Sequence, residues 1–166
     1  LKREFEVAQS FNEYDSDHVI KCSAWYARAL TGSGRDLETA VALMDKAIAF
    51  DLRSHPDGTS WAFWYRSIQA SALRQLGRLP DALRVLDANA EVIRTRGEGA
   101  PWSVAYYYVE RLKTLTAFNR LNEAHEVIEP GQVAVVRLND ARTRTARDFE
   151  AAYQALQDAS GNLLFK

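Results

Sequence analysis

The chain has 166 residues, a length that bounds it to one domain, or one domain with a short appendage. Apolar residues make up 47% and charged residues 26%; with 21 Lys and Arg against 22 Asp and Glu, the net charge of −1 lacks the basic excess of a nucleic-acid or membrane-surface binder. A single cysteine, Cys22, excludes an internal disulfide and any multi-cysteine metal site, and no apolar run reaches the ~20 residues that span a bilayer.

Leu1 stands where a Met would open a complete chain, and no signal-peptide pattern follows it. The chain reads as a piece of a longer, cytoplasmic protein, with residues 1–15 as the end of a preceding helix. The Gly and Pro residues fall in narrow clusters, and the stretches between them have helical length. In chain order the predicted helices cover about 1–13, 16–32, 36–54, 60–76, 79–96, 101–118, 121–129 and 132–160. Asp15 or Ser16 and Ser60 are candidate starts, Pro101 presets a first turn after Ala100, and Gly34 and Gly77 supply turns. Pro130–Gly131 is expected to end or kink the helix before it. Within the stretches the apolar period is helical: Leu79, Ala82, Leu83, Leu86, Ala90 and Ile93 lie on one stripe. The period-two alternation of strands is missing. The expected fold class is all-α.

Comparing the chain with itself exposes a repeat. Leu37, Leu79 and Leu121 are 42 residues apart, as are Ala40, Ala82 and Ala124. The same interval joins Leu43, Val85 and Val127, and again Met44, Leu86 and Ile128. Upstream, ARALTGSGR aligns with ASALRQLGR, with one extra residue in the first turn. Each unit is a helix, a tight turn and a second helix, with an alanine where the paired helices come closest.

This pattern resembles the tetratricopeptide repeat (TPR) family, whose unit has a small residue in its first helix, Gly at the turn, then small and bulky apolar positions. The second unit matches through Ala70, Leu73, Gly77, Leu79, Ala82 and Leu86, and the first through Ala27, Leu30, Gly34, Leu37, Ala40, Met44 and Ala47. In the third unit Asn119 replaces the turn Gly and Leu112 the small residue, and Asn enters the left-handed region more readily than most residues. The interval exceeds the usual ~34 residues by about one turn per helix or a longer loop. The resemblance implies a right-handed superhelical solenoid of three helix pairs, at about 16–54, 60–96 and 101–130, with flanking N- and C-terminal helices. It further implies a non-enzymatic module that binds a peptide or protein segment on its concave face and needs no cofactor.

Alignment with the family's inner-face positions selects Lys21, Ala24, Arg28 and Thr31, then Trp64, Ser67, Ser71 and Arg74, then Tyr106, Val109, Lys113 and Thr116. Of these, Lys21, Arg28, Trp64, Ser71, Arg74, Tyr106 and Lys113 are the candidate contacts for a peptide or ligand. Trp64 and Tyr106 are expected to project onto that face about one repeat apart. The aromatic runs at 61–65 and 102–108 either pack between repeats or wall the concave face, because consecutive helical residues point ~100° apart and one stripe cannot absorb them all. A lysine/asparagine clamp for a C-terminal carboxylate, used by one subset of the family, is not met, since Ala24, Arg28 and Ile68 stand at its positions.

No other motif in the chain has the spacing of a catalytic or metal site. His18, His55 and His125 lack the paired spacing of a metal site, GSGRD at 32–36 lacks the lysine of a phosphate loop, and Cys22 reads as a small apolar residue. No catalytic residue and no metal ligand is expected. From 131 to 166 the chain departs from the repeats, with Phe149, Ala152, Leu156 and Ala159 at 3-4-3 spacing. That segment is either a cap over the last repeat or a connector to a fused output domain. In the second case the layout looks like the sensory half of a bacterial diguanylate cyclase or histidine kinase, with a small molecule in the aromatic pocket. Leu163, Leu164 and Phe165 are a candidate seam for a homodimer.

Overall fold

Three turns of one construction direct the path of the chain. In the computed structural model, which describes residue 3 and residues 17–55, 60–96, 100–138 and 143–161, the helices are α1 (Asp17–Ser33), α2 (Leu37–Ser54), α3 (Ser60–Gln75), α4 (Leu79–Arg96), α5 (Pro101–Ala117), α6 (Leu121–Glu126), α7 (Ile128–Val136) and α8 (Arg144–Gly161). No strand occurs among the described residues, and successive helices pack antiparallel. The protein is all-α. The expected helix at 1–13 and the seam at 163–165 lie outside the described residues.

The turns after α1, α3 and α5 place Gly34, Gly77 and Asn119 at φ 65°, 76° and 57°. At each, the next residue's N–H reaches back five positions: Arg35 to the Leu30 carbonyl (3.1 Å), Arg78 to Leu73 (2.9 Å) and Arg120 to Leu115 (2.9 Å). A second bond, from Gly34 to Thr31, Gly77 to Arg74 and Asn119 to Thr116, completes the left-handed helix stop. The first turn takes in its extra residue at Asp36, which also has positive φ (46°). Ala40, Ala82 and Ala124 then have no solvent exposure, as the recurrence of a small residue predicts.

Packing follows from these stops. Helix α3 touches α1, α2, α4 and α5, while α5 touches α3, α4, α6, α7 and α8; α2 and α4 do not meet. The first helices of the three expected pairs thus neighbour one another in the order α1, α3, α5, and α8 continues the row. Side chains repeat the interval as well. Gln69 donates to Asp45 across α3 and α2, and Arg111 donates to Asp87 (2.7 Å) across α5 and α4. Both donors and both acceptors are 42 residues apart.

After the third turn the chain departs from expectation. The break falls at Val127, three residues before Pro130, and Pro130 sits in the first turn of α7, where its missing N–H has no intrahelical partner to lose. The expected single helix at 132–160 is two helices. α7 ends at Val136, and α8 starts at Arg144, where the Thr143 hydroxyl accepts the Ala146 N–H (3.1 Å). Gly131 lets these helices meet, since a Cβ there would enter the Phe149 ring and lie 3.3 Å from Tyr108 Cβ. Phe149, Ala152 and Leu156 are buried in one cluster with Val109, Leu112 and Leu115 of α5.

Replacing Ala82 by Leu adds methylenes to a contact with no free space. Urea denaturation of Ala82→Leu is expected to show a loss of about 1–3 kcal/mol. A parent-like midpoint would mean that Ala82 does not sit at a close helix contact.

Candidate functional site

Residues three or four apart share one side of a helix, and on α1, α3, α5 and α8 such rows meet along one cleft. Trp25 and Arg28 come from α1, Trp61, Trp64, Ser71 and Arg74 from α3, and Trp102, Tyr106, Glu110 and Lys113 from α5. Helix α8 adds Arg144, Thr145 and Asp148. The cleft has two adjoining cavities, an aromatic one of about 380 Å³ and a charged one of about 240 Å³, and Arg28 and Tyr106 line both.

The aromatic cavity holds all four tryptophans of the chain. Ring centroids are 4.8 Å apart for Trp25 and Trp64, 5.8 Å for Trp61 and Trp64, 5.5 Å for Trp61 and Trp102, and 5.8 Å for Trp64 and Trp102. Trp25 and Trp102 remain 43% and 39% exposed, so each keeps ring surface that a ligand can reach. Trp64 is only 3% exposed. Its expected projection onto an open face is therefore corrected: α3 has neighbours on both sides, and Trp25 and Trp102 cover the ring, leaving it as the floor of the cavity. Lys21 stands outside both cavities, with Nζ paired to Asp17 and 5.2 Å above the Trp61 ring.

In the charged cavity, the buried Glu110 carboxylate holds two cations. Arg74 Nη2 lies 3.2 Å from Oε2, and Lys113 Nζ lies 3.8 Å from Oε1. The same Arg74 nitrogen donates to Ser71 Oγ (3.4 Å), while Arg74 Nε is buried without a partner. Arg144 Nε lies 3.7 Å from Asp148. Arg28 is placed differently: its guanidinium carbon sits 5.4 Å from the Trp25 ring and 5.8 Å from the Tyr106 ring, and it has no carboxylate partner among the described residues. Burial, aided by the Glu110 charge, pushes the Tyr106 phenol above the usual tyrosine range, so it stays neutral and can donate a hydrogen bond. Four cations against two carboxylates leave the lining formally at +2. Such a cavity favours an anion.

The cleft thus gathers Arg28, Trp64, Ser71, Arg74, Tyr106 and Lys113 from the candidate contacts and leaves Lys21 at the side. Ala24, Ser67 and Val109, placed on the same face by alignment, have no or almost no exposure and instead fill helix contacts. Trp25 and Glu110 lie outside the sequence expectations, and Trp61 and Trp102 entered them only within the aromatic runs, not as contacts. Their signal was spacing: Trp25 is three residues before Arg28, Trp61 three before Trp64, and Trp102 and Glu110 flank Tyr106 by four. None of the histidines lines either cavity, and no group of three or more His, Cys, Asp or Glu able to hold a metal occurs among the described residues. No described helix is long and apolar enough to cross a membrane.

Comparison with family models, with curated proteins and with solved structures gives no match to this chain.

The Arg74–Glu110 pair is the polar anchor between α3 and α5. Removing Arg74 leaves the buried Glu110 carboxylate with the more distant Lys113 alone, so Arg74→Ala is expected to cost about 3 kcal/mol, the low end for a broken buried pair, in urea denaturation. The Arg74→Ala/Glu110→Ala double variant should lose clearly less than the two single losses combined. Additive losses would mean that the pair is not coupled.

Proposed function

We propose that this chain is a non-enzymatic, cytoplasmic interaction domain of TPR type, its three helix pairs wound as a right-handed solenoid. A peptide or protein segment occupies the cleft formed by α1, α3, α5 and α8. Support for the repeat reading comes from the three like-built turns and from the Asp45–Gln69 and Asp87–Arg111 links one interval apart. The observation that carries the binding reading is the cleft itself, where tryptophan faces and unneutralised positive charge lie side by side. Aromatic and Arg residues of this kind dominate binding hot spots.

One observation favours a second reading. Arg144, Thr145 and Asp148 of α8 line the cleft, so an occupant touches the C-terminal helix directly. A small molecule held there would bias the position of α8 and pass the signal to a fused output domain, as in a ligand-sensing module of a bacterial signalling protein.

Trp25 and Trp102 are the most exposed rings of the cleft, so their removal tests it without emptying the core. On a peptide array, Trp25→Ala/Trp102→Ala with parent-like circular dichroism is expected to lose about 1–3 kcal/mol of affinity for the peptides that the parent binds. Unchanged binding by the folded double variant would move the site away from the cleft.

A further inference from the structure

We infer that the segment recognised by the cleft carries a Glu or Asp two residues from an aromatic side chain, with the carboxylate seated on Arg28 and the ring laid against Trp25 and Trp102. The inference rests on the peptide-binding reading above and names the chemistry of its ligand.

Arg28 carries the argument. Of the four cations lining the charged cavity, Arg74 and Lys113 are engaged by Glu110 and Arg144 by Asp148, whereas among the described residues Arg28 meets the Trp25 and Tyr106 rings and no carboxylate. Neither ring takes its N–H donors as an oxygen would, and the edge of a guanidinium matches the two oxygens of a carboxylate. The surplus positive charge of the lining points the same way.

Position then selects the second feature. Because Arg28 and Tyr106 form the wall shared by both cavities, an acid held at Arg28 puts the adjoining part of its ligand beside the tryptophans. In an extended segment, residues i and i+2 point to one side about 7 Å apart. An acid at one of these positions and a ring at the other reach neighbouring cavities without bending the backbone. Offset or edge-to-face stacking on Trp25 and Trp102, both partly exposed, would hold the ring.

The protein supplies its own reporter, since every tryptophan lies in the site. Intrinsic fluorescence is followed while tryptophan-free peptides are added: acetyl-Gly-Glu-Ala-Phe-Gly-amide, the same peptide with Gln for Glu, and the same peptide with Ala for Phe. Free 3-phenylpropionate is the small-molecule arm. The Glu/Phe peptide is expected to give a saturable change, and each replacement to weaken it about tenfold or more. Arg28→Gln should bind the Glu and Gln peptides alike, while Arg28→Lys should keep part of the preference, with circular dichroism as the folding control. Equal binding of the Glu and Gln peptides by the parent would overturn the assignment of the acid and leave the peptide reading standing. A response to 3-phenylpropionate alone, dependent on Arg28, would keep the acid-and-ring chemistry and overturn the peptide reading. No response to any of the four would overturn the inference.

Discussion

Gly34, Gly77 and Asn119 hold the left-handed backbone that ends a helix and reverses the chain, and the rest of the structure depends on that constraint being met three times. An ordinary L-residue pays roughly 1–2 kcal/mol to enter this region, Gly pays nothing, and Asn is the usual substitute. With the same two backbone bonds closing each turn, the following helix returns antiparallel, and its inward alanine has no solvent exposure. Repetition of the stop brings α1, α3 and α5 alongside one another instead of leaving three separate hairpins.

The cleft is a consequence of that row. Neighbouring first helices bring corresponding positions together, so side chains far apart in sequence converge: Arg28, Ser71 and Lys113 hold one aligned position on three helices and line one cavity. Burial differs sharply along it. Glu110 and Trp64 are held inside by partners on every side, whereas Trp25, Trp102 and Arg28 keep solvent contact. A site needs both kinds of residue, an ordered floor and accessible edges, because side chains fixed before binding lose less entropy when the ligand arrives. Helix α8 lines one flank of the cleft through Arg144, Thr145 and Asp148.

The elements that define the fold were largely legible in the sequence, because the signals were local. Ala40, Ala82 and Ala124 could be small only for a close contact, and Asn119 could replace Gly only at a turn. Legibility ended where tertiary contact decided the outcome. From Gln132 to Ser160 there is neither Gly nor Pro, so breaker residues gave no warning of the interruption before α8; the weaker signals were Asn139–Asp140 and the cap at Thr143. Trp64 was expected on an open face and lies at the floor of the cleft, since alignment along one helix does not show how far its neighbours rise around it. Trp25 and Trp102 went unselected because the family register names one position per turn, while the cleft draws on the adjoining row.

Contact between tryptophan rings of different helices tests most directly whether the row of first helices exists. In a nuclear Overhauser spectrum of the intact chain, the four indole systems are expected to show Trp25–Trp64 cross-peaks joining α1 to α3 and Trp61–Trp102 cross-peaks joining α3 to α5, as centroid separations of 4.8 and 5.5 Å require. Absence of both from an otherwise well-dispersed spectrum would contradict the account, because no cleft forms between helices that do not lie together.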